Sequence, residues 1–171
     1  MKLKEIYNSI KYTIYEDLDG CLADFDKRYF EITGVSTHHA DAQGKNEFWE
    51  ILKDGLKNKK MTEQQFWETI EWMPDGRELW SYIKKYKPII LTAPSRNKES
   101  IIGKNEWVKK HLGYVPIIFR SAKQKHLEAG ENKILIDDRA DTIERWINTG
   151  GIGIHHTSTD NTIKKLKELG L

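Results

Sequence analysis

The sequence predicts an α/β fold, a five-stranded parallel sheet flanked by helices, with a small helical cap inserted after the first strand. Three observations predict it. After residue 75, short apolar runs rich in isoleucine alternate with amphipathic stretches, the pattern of right-handed parallel βαβ units. Two of the apolar runs, Thr13-Ile14-Tyr15-Glu16-Asp17 and Ile134-Leu135-Ile136-Asp137-Asp138, end in carboxylates. Between them, residues 26–74 carry helical periodicity and no convincing strand.

Taken in order, the first strand is expected over 11–17, followed by Leu18, Asp19 and Gly20. Helical segments follow at about 24–33, 45–54 and 62–70. Asp75 to Lys87 reads as a helix with Leu79, Trp80, Ile83 and Tyr86 on one face, and Pro88 opens a buried strand over 88–92. Lys98 to Leu112 is helical, with Gly113 placed to cap its end. A strand over 115–119, a short helix from about Ala122 to Ala129, a strand over 133–137, a helix from Ala140 to Thr149, a strand over 152–155 and a closing helix from Thr159 to Leu169 complete the chain. Residues 1–25 and 75–171 thus form the core. Residues 26–74, rich in Tyr29, Phe30, Phe48, Trp49, Phe66, Trp67 and Trp72, stand over the carboxyl ends of the strands as a lid would.

With 171 residues the chain is one domain with a modest insertion, long enough to bury a core. A formal charge of +2 with 32% charged residues argues against a partner that is a nucleic acid polymer. The basic run Lys57, Lys59 and Lys60 reads as a solvated loop. The single cysteine, Cys21, precludes an internal disulfide, fits a reducing compartment and is expected to pack as a small apolar residue. The sequence has neither a signal-peptide pattern nor an apolar run of membrane length, so a soluble, cytoplasmic protein is expected. The sequence leaves open a homodimer.

The strand ends carry the chemistry, because open α/β sheets bind ligands at their carboxyl edge. Gly20 permits the sharp turn that would aim Asp17 and Asp19 into one site. Two carboxylates ~4 Å apart repel by roughly 4 kcal/mol at an effective dielectric near 20, and a hard cation such as Mg²⁺ relieves that repulsion. The second strand contributes Thr92, the fourth Asp137 and Asp138, and the segment after the third Lys123 or Lys125, with Lys123 favoured as nearer the strand end. This set suits phosphoryl transfer. Asp17 can attack phosphorus, Asp19 can protonate the leaving oxygen and later activate water, and Mg²⁺, Thr92 and the lysine can hold the phosphate.

In this order, Asp17-Leu18-Asp19-Gly20, Ile90-Leu91-Thr92, Lys123 and Ile136-Asp137-Asp138, the chain resembles the haloacid dehalogenase (HAD) superfamily of phosphohydrolases over nearly its whole length. It is most similar to the 5′(3′)-deoxyribonucleotidases in Asp19-Gly20-Cys21-Leu22-Ala23-Asp24-Phe25, Pro74-Asp75-Gly76, Thr92-Ala93-Pro94-Ser95 and Leu135-Ile136-Asp137-Asp138-Arg139-Ala140-Asp141. The resemblance implies a Rossmann-like HAD fold and a phosphomonoesterase acting on nucleoside monophosphates. It implies Asp17 as nucleophile, and Asp19 as acid/base with its carbonyl on Mg²⁺. Asp138 would be a direct metal ligand, with Asp137 acting through water or from behind it. Thr92, Ala93 and Lys123 would lie on the phosphate, and Phe25 beside the base, with Trp49 and Trp67 as the stacking candidates. Trp49, Trp67 and Trp72 nevertheless sit at helical apolar positions, where each taken singly reads first as core.

Two residues depart from the pattern. Glu16 puts a charge in a central strand, and Ala93 lacks the hydroxyl of the family's Thr-Ser pair. These departures keep a rival reading alive, a phosphate- or metal-binding module without catalysis, beside that of a phosphatase for sugar phosphates. Asp141 fits equally an anchor for the Asp138 loop and a helix N-terminal acid, and Arg96 equally a phosphate ligand and an exposed arginine. His38, His39, His155 and His156 read as surface or loop histidines, since adjacent side chains diverge.

Overall fold

The structure, a computed structural model, describes residues 12–171; Lys11, the expected start of the first strand, lies outside the described residues. Five short strands, β1 (Thr13–Glu16), β2 (Ile89–Thr92), β3 (Ile117–Phe119), β4 (Lys133–Asp137) and β5 (Ile152–His155), form one parallel sheet in the order β3-β2-β1-β4-β5. β-Branched isoleucine is the commonest strand residue, as expected where both faces are covered. Ile14, Ile90, Ile134, Ile136 and Ile154 face one layer, while Tyr15, Leu91 and Leu135 face the other. Helices α5 (Gly76–Ile83), α6 (Glu99–His111) and α8 (Thr159–Glu168) pack on the first face through Leu79, Ile83, Trp107, Val108 and Leu166. Helix α7 (Ala140–Asn148) covers the second through Ile143 and Trp146.

The connection from β1 runs to one side of the sheet and the crossover from β3 to β4 runs to the other. The strand order therefore reverses between β1 and β4, where such sheets open a crevice. Register places Glu16 opposite Ile136, and the Asp17 N–H donates to the Ile136 carbonyl at 2.9 Å. The two acidic tips, 120 residues apart in sequence, emerge side by side.

Four helices lie between β1 and α5: α1 (Phe25–Thr33), α2 (Thr37–Ala42), α3 (Lys45–Asn58) and α4 (Glu63–Glu68). Asp24 caps α1, and Gly34, with φ of 72°, ends it. A reciprocal Thr62–Gln65 capping box starts α4. The two chain crossings into this insertion are stitched together: Ala23 bridges Trp72, Asp24 N–H donates to Glu71 O at 2.9 Å, and Met73 N–H to Leu22 O at 2.7 Å.

Two elements differ from expectation. Helix α2 was not anticipated, because Thr37-His38-His39 shows no apolar period; its start rests on the Ser36 side chain accepting from His39 N–H. The helix expected over 122–129 contracts to one 3₁₀ turn, Lys125–Glu128, preceded by a turn in which Gln124 and Lys125 N–H both donate to Ser121 O. No described helix is long and apolar enough to cross a membrane.

Candidate active site

Gly20 adopts φ of 76°, and the strand-to-loop turn it permits brings its Cα against Asp138; a methyl there would lie 2.3 Å from Asp138 Oδ2. Asp17, Asp137 and Asp138 each offer a carboxylate oxygen within 4.8 Å of the others. Lys125 joins this cluster, its Nζ 2.8 Å from Asp17 Oδ1 and 2.7 Å from Asp137 Oδ2. Backbone N–H groups hold the same acids: Leu18 donates to Asp17 Oδ1 at 2.8 Å and Arg139 to Asp137 Oδ1 at 2.9 Å.

The lysine that reaches the acids is Lys125, not the favoured Lys123. Lys123 is exposed within the Ser121–Gln124 turn, whereas Lys125 is 2% exposed. Nearness to the strand end misleads here, because that turn reverses the chain before the 3₁₀ turn aims Lys125 inward.

A second lysine, absent from the sequence reading, completes the other half. Lys104, on α6, is fully buried, with its Nζ 2.5 Å from Asp19 Oδ2, 2.9 Å from Thr92 Oγ1 and 2.8 Å from the Ala93 carbonyl. An ammonium has three N–H donors, and all three are used. The sequence did carry a signal. Ser100, Gly103, Lys104, Trp107 and Val108 are the buried positions of α6, spaced as one helical face, so a lysine sits on the inward stripe. The Asp19 carboxylate faces Lys104 and is not in the three-acid cluster.

Charge is unbalanced at the site. Asp17, Asp19, Asp137 and Asp138 face only Lys104 and Lys125. Desolvation, with repulsion from Asp17, Asp137 and Asp19, pushes the Asp138 carboxyl up to about 8. Asp138 as a residue is exposed, but its carboxylate is folded down over Gly20. Burial, then Asp17, also raises Asp137 against the pull of Lys125. Asp19 is raised by burial and Asp17, with Lys104 opposing. For Lys125, burial is outweighed by Asp17 and Asp137, which raise it and keep it charged. An excess of two negative charges on convergent oxygens is the donor set that suits a hard divalent cation.

Glu16 lies beneath this cluster, fully buried, with neither carboxylate oxygen hydrogen-bonded. Burial, Asp17 and Asp137 raise its carboxyl well above the usual range, which favours its neutral form. Cys21 is buried beside the acids, and burial, Glu16 and Asp17 push its thiol up, which makes it inert as a nucleophile.

The aromatic candidates separate. Trp67 is 3% exposed, with Phe25 parallel to its ring at 5.2 Å and Lys104 Nζ 4.3 Å over it, so it offers no face to a base. Phe25 is half-buried among Tyr29, Phe48, Phe66 and Trp67. Trp49 is half-buried and lines a cavity of about 700 Å³ with Asn46, Lys53, Glu63, Ser95 and Arg96. Trp72 packs on Trp107 and donates to His111 Nδ1 at 3.2 Å, away from the acids.

The last two histidines are not loose surface groups. His156 is buried against Thr162 at 2.9 Å, and His155 Nε2 lies 2.9 Å from the Asp138 carbonyl. Asp141 pairs with Arg139 and Arg145, and Arg96 donates to Asn46 on α3 at 2.8 Å.

No curated protein matches the chain. Among solved structures, a hydrolase from Streptococcus pneumoniae superposes with a TM-score of 0.56 at 15% identity, covering 92% of this chain and 99% of that one. The HAD hydrolase YfnB of Bacillus subtilis, described with bound magnesium, reaches 0.57 at 13% identity, with 93% and 98% covered. A HAD-superfamily hydrolase from Ehrlichia chaffeensis reaches 0.52 at 12%, with 93% and 97% covered. These likenesses establish the HAD fold. The strand-tip acids, Thr92 and the buried lysines are mounted on that fold within residues 9–167, which match the family described as 5′ nucleotidase, deoxy (pyrimidine), cytosolic type C protein, so the chain belongs to that family and is a phosphatase.

Proposed function

We propose that the protein is a Mg²⁺-dependent 5′-nucleotidase that hydrolyses (deoxy)ribonucleoside monophosphates through an aspartyl-phosphate on Asp17. The observation that carries this reading is the division of labour between two aspartates two residues apart. Asp17 is held by Lys125 within a cluster of acids, and Asp19 is held by Lys104 outside it.

An Asp17 oxygen attacks phosphorus in line, and the bond to the nucleoside oxygen breaks as protonated Asp19 gives up its proton to that oxygen. Asp19, now ionised, takes a proton from water as the water oxygen attacks the phosphoryl group. The Asp17–phosphorus bond breaks, inorganic phosphate leaves and both aspartates return to their starting states. Burial raises the Asp19 carboxyl toward the range an acid needs for the first step.

Asp17, Asp138 and Asp137 would hold Mg²⁺, which supplies the positive charge that lets an anionic carboxylate approach an anionic phosphate. Thr92 Oγ1 accepts from Lys104, which leaves the hydroxyl proton free to donate to a phosphate oxygen. The Ala93 carbonyl fixes Lys104, a role that needs no side-chain hydroxyl. Residues 26–74 act as a cap over a core of 1–25 and 75–171, and the cavity beside Trp49 and Arg96 is the side from which the nucleoside is recognised. The cytosolic designation of the family supports a cytoplasmic location.

Released phosphate should be measured across nucleoside monophosphates and sugar phosphates, with and without Mg²⁺. Turnover of at least one nucleotide is expected, abolished by Asp17→Asn. Turnover of sugar phosphates alone would reject the nucleotide assignment, and an Asp17→Asn protein as active as the parent would reject the mechanism.

A further inference from the structure

Helix α4 belongs to the inserted segment, yet it touches α6 of the core as closely as two helices can. At Gly103 a methyl would lie 2.5 Å from the Gln64 carbonyl oxygen and 2.7 Å from Trp67 Cβ, so only glycine admits this approach. Glu99 at the start of α6 accepts from the N–H groups of Glu63 and Gln64 at 3.0 and 3.3 Å, which puts a core carboxylate on the amino end of α4. Ser95, three residues beyond Thr92, donates to Glu63, and Glu63 accepts from Trp67 Nε1 at 3.3 Å. The Trp67 ring is locked further by Phe25 in parallel at 5.2 Å and Phe66 edge-on at 5.1 Å. Its face meets the Lys104 ammonium at 4.3 Å. A closed circuit results, from Thr92 through Ser95, Glu63, Trp67 and Lys104 back to Thr92.

We propose that Trp67 is a positioning residue of the active site: its ring face seats the Lys104 ammonium, and through Lys104 it sets the place of Asp19 and Thr92. This rests on the reading of Asp19 as the acid/base. All three Lys104 donors point to core groups, so the side of the ammonium facing the insertion has no hydrogen bond left to make. A π face is the surface that satisfies a buried cation there, and the interaction strengthens when both partners are dry, as Lys104 and Trp67 are. The acid/base thus senses whether α4 is docked, although no residue of α4 needs to touch substrate. A tryptophan expected to stack on a base instead holds the machinery.

The test separates ring electronics from packing. Fluorinated tryptophans introduced site-specifically at Trp67 keep the ring's shape while draining its quadrupole. With a mononucleotide or p-nitrophenyl phosphate as substrate, kcat should fall stepwise with each added fluorine, to about a tenth or less for the most fluorinated ring, while KM and Tm stay near the parent's. Trp67→Phe, which retains a π face, should keep more kcat than Trp67→Leu. A trifluorinated protein with parental kcat would overturn the proposal and leave Trp67 as packing. A readout independent of turnover is the NMR shift of the Lys104 ε-methylene protons, assigned with Lys104→Met. They should lie upfield of the other lysines and return to ordinary values in Trp67→Leu. Ordinary values in the parent would overturn the proposal even if the protein is a nucleotidase, and upfield values would sustain the contact even if no nucleotide is turned over.

Discussion

The site has two lysines, and they are mounted differently. Lys125 reaches Asp17 and Asp137 from a 3₁₀ turn, so its half is built from the strand tips and loops of the sheet. Lys104 reaches Asp19 and Thr92 from α6, and the ring above it comes from the inserted helices. The Lys125 half answers a crowd of like charges, whereas the Lys104 half answers a single carboxylate and a hydroxyl. The half proposed to hold the metal is therefore preformed by the sheet, while the half proposed to handle the proton is completed by the insertion.

The strongest way to break that contrast is to remove each lysine in turn. Lys125→Met leaves Asp17 and Asp137 buried without a counter-charge, and losing one partner of a buried pair costs about 3–5 kcal/mol. Lys104→Met strands only Asp19, whose Oδ1 is buried but whose side chain is 26% exposed overall, so its cost should be the smaller of the two. Thermal unfolding with and without Mg²⁺ distinguishes the halves. Added Mg²⁺ should restore much of the stability lost in Lys125→Met and little of that lost in Lys104→Met. Equal rescue of both variants would mean that the two halves are one electrostatic unit.

A smaller effect comes from pH. Asp138, Asp137, Asp19 and Glu16 all have carboxyls raised in the folded state, so the native protein keeps protons that the unfolded chain releases above about pH 4. Their contribution to stability is full below that pH and is lost as pH rises toward about 8, the folded value for Asp138. Asp75 and Asp141 shift the other way, because bonds from Thr159 and pairing with Arg139 and Arg145 outweigh their partial burial. Their effect falls below about pH 4 and does not oppose the trend. The imidazoles of His111 and His156 are lowered, chiefly by burial, and oppose the trend up to about pH 6.5. In chelator, Tm should therefore fall between about pH 6.5 and pH 8, and Asp138→Asn should flatten the slope. Mg²⁺ should flatten it as well, by replacing protons with a cation. A chelated protein whose Tm climbs through this window would contradict the crowding of the Lys125 half.

The same contrast explains what could be read in advance. The sheet, its acidic tips and Thr92 follow from apolar runs with sharp ends, because a buried parallel strand has few other ways to be written. The choice between Lys123 and Lys125 depended on a turn whose direction is set by the Ser121 carbonyl, and Ser121-Ala122-Lys123 has no strong turn signature. Lys104 was hidden in a helix whose many charges resemble a solvated face. Only the coincidence of Ser100, Gly103, Trp107 and Val108 on its stripe betrays it. Trp67 was legible as important, but stacking on a ligand and seating a cation demand the same residue, and α4 shows which only once it is docked on Gly103.

Glu16 gives the smallest and most local expectation. It occupies a central strand between Ile90 and Ile136, in register with both, and neither of its oxygens is hydrogen-bonded. A buried polar group without a partner costs roughly 1–3 kcal/mol, so Glu16→Leu should stabilise the protein by about that much, a rise in Tm of several degrees for a chain of this size. Glu16 is not among the groups that raise Asp137 and Asp138, so the chelator-dependent fall of Tm with pH should persist, reduced by the Glu16 share alone. If Glu16→Leu were instead destabilising, the carboxyl would have a partner in solution, and the floor of the Lys125 half would be polar rather than dry.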